Sequence, residues 1–366
     1  MRVSLPILLA LLAVSLRAGP QGGAGIPAAL EDAEFWRLTV ELSEPDGFFE
    51  DENYVSNEVG HQSVLPELIG TVGPGGVYVG VGPEQNFSYV AALEPRIAFV
   101  VDIRRQNMVE HLVYKALFQL SDNRADFVSR LFSRPRPAGL DEGSTVGEIF
   151  TAYESVPADR NLFETTLAAV LDLLRATRAS PLDDRDRAWI LEVLTAFRDS
   201  GPDIMYVYQG TPEAHPTYPR LMDMVDSDGI NWSYLGSRER YLRVRDLQMR
   251  NLIIPVVGDF AGPKALRSIG EYLREHGADV DVFYASNVES YLFASGVAGA
   301  FYENVLAMPV GDTALFVRTF FGSAARECAE LRPRMRTPVL SPISGILGAH
   351  LDGQITTQCA LVGRSR

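Results

Sequence analysis

Cysteine is almost missing from this chain: two residues, Cys328 and Cys359, among 366. Two cannot build a disulfide framework or a cysteine-rich metal cluster, although they can form a single disulfide. Histidine is scarce as well. The five, at positions 61, 111, 215, 276 and 350, show no metal-ligand spacing, and no His-Glu-x-x-His occurs, so no metal site is expected. There is no Gly-Lys-Ser/Thr, which excludes a P-loop, and no Gly-x-Ser-x-Gly, which removes support for an α/β-hydrolase. Positive charge is in deficit: 33 Lys and Arg against 47 Asp and Glu give a formal charge of −14. A surface of that sign repels phosphate backbones and argues against nucleic acid as a partner. Beyond the N-terminus no apolar run approaches the roughly 20 residues of a membrane span. The 31 Gly and 22 Pro are spread along the chain, without a low-complexity tract.

What is present starts with Met1-Arg2, an apolar run over 3–16 and Arg17-Ala18-Gly19-Pro20. A cationic start, a short apolar stretch and small residues read as a signal peptide or N-terminal anchor over 1–18. A signal peptide implies a periplasmic or extracellular protein; otherwise the chain is cytoplasmic. A leader and helical segment follows over 19–70, with a short helix expected at 62–69. In that segment Trp36, Phe48 and Phe49 read as a packed lid or leader contact.

The α/β grammar begins after the breaker Gly73-Pro74-Gly75-Gly76. Val77-Tyr78-Val79-Gly80 is a short apolar strand that runs into Val81-Gly82, and 87–93 reads as a helix. Ile97-Ala98-Phe99-Val100-Val101 ends at Asp102, and 104–120 has a helical apolar period. Runs that are continuously apolar, not alternating, belong to a sheet covered on both faces. Residues 122–245 change character and predict a mainly helical insertion, with 204–208 its only strand-like run. The pattern resumes at 246–325: strands at 252–257, 280–284 and 313–320, with a helix at 263–276. Residues 326–366 form a tail expected to pack on the domain. The sequence therefore predicts an α/β fold, a doubly wound and mostly parallel sheet with halves at 71–121 and 246–325.

In such a sheet ligands bind beyond the carboxyl ends of the strands. Four apolar runs end in suitable residues: Gly80, Gly82 and Glu84; Asp102, Arg104 and Arg105; Gly258 and Asp259; Ser286, Asn287 and Glu289. Gly80 and Gly82 let the backbone approach a ligand closely. Asp102, twenty residues after Gly82, is placed to accept ribose hydroxyls. A small-molecule ligand is the expected partner.

These residues resemble the class I S-adenosylmethionine-dependent methyltransferases, whose fold is a Rossmann-like sheet. Residues 77–82 look like the family's first motif, and 97–102 like the strand that ends in its ribose-binding acid. The resemblance implies that Gly80, Gly82, Glu84, Asp102, Ile103 and Arg104 hold S-adenosylmethionine. It further implies that Asp259, Asn287 and Glu289 face the acceptor, Asp259 or Glu289 serving as a base. The chain departs from the family pattern at Tyr78, where an acid is usual, and at Glu84, where a third glycine is usual. The resemblance implies methyl transfer to a small acceptor. The alternatives are an exported, non-catalytic binding module that has lost the cofactor, or another nucleotide-utilising enzyme.

Overall fold

Six strands lie in one sheet in the order β3-β2-β1-β4-β5-β6. They are β1 (Val77–Gly80), β2 (Ile97–Asp102), β3 (Ile253–Val257), β4 (Val280–Ser286), β5 (Val310–Thr319) and β6 (Pro338–Pro342). The first five are mutually parallel, and β6 runs antiparallel beside β5. Every residue of β1, β2 and β3 is buried, as continuous apolar runs require. The structure, a computed structural model, describes residues 25–50, 53–176, 180–207, 215–321, 327–331 and 337–365. The segment read as a signal peptide, 1–18, lies outside them.

Helices cover both faces of the sheet. Before β1 come α1 (Asp32–Leu42) and α2 (Leu65–Val72). The latter starts three residues later than the pattern predicts, because Pro66 sits without cost only in a first turn. Next come α3 (Gln85–Leu93), between β1 and β2, and α4 (Arg105–Leu120) after β2. Between α4 and β3 lie α5 (Arg124–Phe132), α6 (Val146–Tyr153), α7 (Arg160–Arg175), α8 (Asp184–Ser200), α9 (Tyr218–Met222) and α10 (Arg238–Met249). The strand expected at 204–208 is reduced to one isolated bridge, Met205 to Thr217, and Tyr208 falls outside the described residues. Then follow α11 (Ala265–Glu275), α12 (Val288–Ala294), α13 (Ala298–Leu306) and, past β6, α14 (Ile343–Leu351) and α15 (Gln358–Val362). Cys328 and Cys359 are joined in a disulfide that ties α15 to the segment after β5.

Two kinds of helix start are present. Five of the six helices named between α4 and β3 carry their own caps, Asn123 for α5, Thr145 for α6, Asp159 for α7, Asp183 for α8 and Ser237 for α10, and α9 has none. Helices α3, α4, α11 and α12, which start at the carboxyl ends of strands, have no cap from their own N-cap side chain. For two of them the segment after α1 supplies it from far away in sequence. The Glu44 carboxylate accepts from the backbone N–H groups of Lys264 and Ala265, both at 2.8 Å, at the start of α11. Asp46 accepts from Arg105 N–H at 2.8 Å at the start of α4. Backbone bonds from Glu44 to Val257 and from Gly47 to Ile103 lay this strap across the ends of β3 and β2.

Candidate functional site

Beyond the carboxyl ends of β1, β2, β3 and β4, partly beneath the strap, lies a cavity of about 1010 Å³. It spans the point where the strand order turns from β1 outward in both directions, the place where open α/β sheets bind ligands. Its volume is at the upper end of the roughly 300–1000 Å³ of ordinary ligand pockets.

Of the residues expected at a site, Gly82, Asp102, Ile103, Arg104, Asp259 and Asn287 all line this cavity. Gly82 has φ +76°, the left-handed region that glycine tolerates, and nothing lies within 4 Å of where its Cβ would be. Asp102 accepts from Arg104 N–H at 2.9 Å through Oδ1, and the Arg104 guanidinium lies 3.6 Å from the same oxygen. Arg104 also donates to Asn53 and stands 5.7 Å from the ring centre of Phe49. Asp259 closes a local turn by accepting from Ala261 N–H at 2.9 Å. Asn287 is the N-cap residue of α12, yet its side chain does not cap; its Oδ1 lies 3.3 Å from the Ser286 hydroxyl oxygen.

Four expected residues stand elsewhere. Gly80 is needed for packing: a Cβ there would come within 2.1 Å of Asn86 Oδ1 and 2.6 Å of the Tyr78 hydroxyl. Glu84 is fully buried behind the wall and accepts from Ser56 N–H at 3.2 Å through both oxygens. Burial pushes its carboxyl up to about 8. Glu289 is a correction to the expected base. It is buried, accepts from Tyr302 at 2.8 Å and is ion-paired with the Arg318 guanidinium, so its charge is matched within the protein, and it does not line the cavity. Arg105, also at a strand end, clasps Asp186 of α8 through two hydrogen bonds at 2.7 and 2.8 Å. The aromatic cluster separates: Trp36 is buried within α1, whereas Phe48 and Phe49 line the cavity.

One lining residue carried no sequence signal. Glu58 sits in the irregular segment between α1 and α2, is fully buried and borders the cavity beside Tyr284 and Ser286. Its Oε2 accepts from Gln85 Nε2 at 3.0 Å, and its Oε1 accepts from the Ser286 hydroxyl. Desolvation raises its carboxyl above the ordinary range. Beneath it, burial holds His61 and His111 down to about 4, so both rings are neutral; His111 Nε2 lies 2.8 Å from Gly82 O and braces the glycine turn.

Sheet and cavity together define an α/β protein with a ligand-sized site at its strand ends. The chain belongs to the family described as a domain of unknown function (DUF7790), whose model matches residues 54–139 and 146–334. The matched stretch includes every cavity residue named above except Phe48, Phe49 and Asn53. No curated protein matches the chain.

Proposed function

We propose that the cavity binds a nucleoside-type cofactor without phosphates, S-adenosylmethionine, and that the chain is methyltransferase-like and acts on a small acceptor. The strand order 3-2-1-4-5-6 is that of Rossmann-like nucleotide-binding sheets, which supports the nucleoside part. One observation carries the choice within that class: the seats where such sheets hold phosphate are filled by the chain itself. A dinucleotide pyrophosphate needs free N–H groups at a helix N-terminus. Two of them at α11 and one at α4 are taken by Glu44 and Asp46, whose charge also repels phosphate. At α3 the glycine turn continues into Pro83, which has no N–H, and then into buried Glu84.

Gly82, Asp102, Ile103 and Arg104 fit the cofactor. The glycine turn opens on the cavity, and Asp102 Oδ2 has no hydrogen bond among the described residues and is available to a ribose hydroxyl. Bound there, the cofactor supplies an electrophilic methyl group on sulfur. The chain's part is to position the acceptor and exclude water, which for an in-line displacement is most of the catalysis. Asp259 and Asn287 border the same space. S-adenosylhomocysteine should raise the melting temperature, by about 2.7 kcal/mol of stability at a hundred times its Kd. Asp102→Ala should abolish that rise. No rise at millimolar ligand overturns the reading.

The disulfide favours a second reading, an exported binding module, because such bonds persist in oxidising compartments. Fractionation with sequencing of the mature N-terminus separates the two. A chain beginning near Gly19 in the exported fraction supports the module, and an intact cytoplasmic chain supports the enzyme.

A further inference from the structure

Two buried carboxylates flank the carboxyl end of β4, and they are treated differently. Glu289 has an internal counter-ion, Arg318, held by two guanidinium hydrogen bonds. Glu58 has none among the described residues. Its partners are neutral: the amide of Gln85 and the hydroxyl of Ser286, with the hydroxyls of Thr319 and Tyr284 also turned to it. Buried charges in proteins are ordinarily paired, so a carboxylate with only neutral donors, at the edge of an open cavity, lacks its natural complement. Burial raises the Glu58 carboxyl, so by itself the site favours the neutral acid, and a bound cation would favour the ionised form.

The surroundings hold the carboxylate in place. Gln85 is fixed at both ends, donating also to the Tyr89 hydroxyl at 3.1 Å and accepting from the Ser56 hydroxyl. Ser286 sits at φ +49°, a strained conformation for a residue with a side chain, and from it reaches Glu58. The cavity beside it carries aromatic rings: Tyr284, Tyr291 and Phe49, the last two edge to face at 5.2 Å. An acid with aromatic neighbours is the chemistry that recognises organic ammonium groups. The remaining charged groups of the wall do not change that sign, because Arg104 is matched by Asp102 and Asp259 adds a further acid.

We propose that Glu58, held by Gln85 and Ser286, is the counter-ion for an organic cation in the β4-side half of the cavity. Two sources share this chemistry: the ammonium of an amino-acid end of the bound cofactor, or a separate cationic acceptor. The inference concerns the charge of the site and does not rest on methyl transfer.

The test titrates the full chain with choline and with 3,3-dimethylbutan-1-ol, its neutral isostere, by calorimetry. Wild type should bind choline at least about tenfold more tightly, the size of one charge-assisted contact. Glu58→Gln should remove the preference. Should that variant not fold, Asn287→Lys, at a half-buried wall position, brings in an internal cation and should remove it equally. Equal affinity for the two probes in wild type, no binding of either, or a preference that survives in the folded variants overturns the proposal. Competition then separates the sources. Mutual exclusion of choline and S-adenosylhomocysteine assigns the cation to the cofactor, and simultaneous binding assigns it to an acceptor. Choline binding without S-adenosylhomocysteine binding would leave this inference standing and remove the cofactor reading; the converse result would do the opposite.

Discussion

Glu84 shows how one buried acid carries a testable pH signature. Its carboxyl is raised to about 8 by burial, against an unfolded value near 4.3. Between those two values the folded chain keeps a proton that the unfolded chain has released. The stability contributed is therefore complete below the unfolded value and is lost as pH rises toward 8, at up to about 1.4 kcal/mol per pH unit. Glu84→Gln removes that loss. Chemical denaturation of the two proteins should give curves that diverge from about pH 4.5 to pH 8 in favour of the variant; parallel curves would contradict the buried, protonated state. Glu84 was visible in the sequence as the residue after a glycine turn, but its inward direction was not. That direction depends on Ser56, twenty-eight positions away, which supplies its hydrogen bonds. Asp102 was legible because it ends a strand, where position alone fixes exposure to the crevice. Glu289 misled for a related reason: it follows the same strand end, but Arg318 on the neighbouring β5 claims it.

Elements with a strong local pattern are where the sequence spells out the fold. Strands β1 to β3 are continuous apolar runs, β4 is one interrupted by Asp281, all four are closed by small or polar residues, and the helices around them keep a 3.6-residue period. Strand β6 escaped because it is a five-residue edge strand with proline at both ends, a composition that does not signal pairing. The strap was illegible for a different reason, since its role lies in caps to helices some sixty and over two hundred positions away. Glu44→Ala should cost about 1–2 kcal/mol, the effect of losing an N-cap. It should also free the start of α11, so that millimolar sulfate raises the melting temperature of the variant more than that of wild type. Equal sulfate responses would mean that Glu44 does not block an anion seat.

For the whole molecule, the deficit of positive charge argues against nucleic acid, and the structure gives that charge a local form, with acids at the strand-end helix starts and Glu58, in the wall, without a cationic partner among the described residues. Under the proposed reading, that bias favours a neutral or cationic nucleoside over a pyrophosphate. The disulfide and the N-terminal apolar run belong to this scale too; the binding-module reading predicts an exported chain beginning near Gly19, and the enzyme reading an intact cytoplasmic chain. The central claim is that the strand-end cavity takes a nucleoside without phosphates. Calorimetric titration with S-adenosylhomocysteine, NAD and ATP, on wild type and Asp102→Ala, tests it most directly. The account predicts saturable one-to-one binding of S-adenosylhomocysteine alone, lost in the variant; no binding of it, or tighter binding of either phosphate-bearing ligand, would contradict the account.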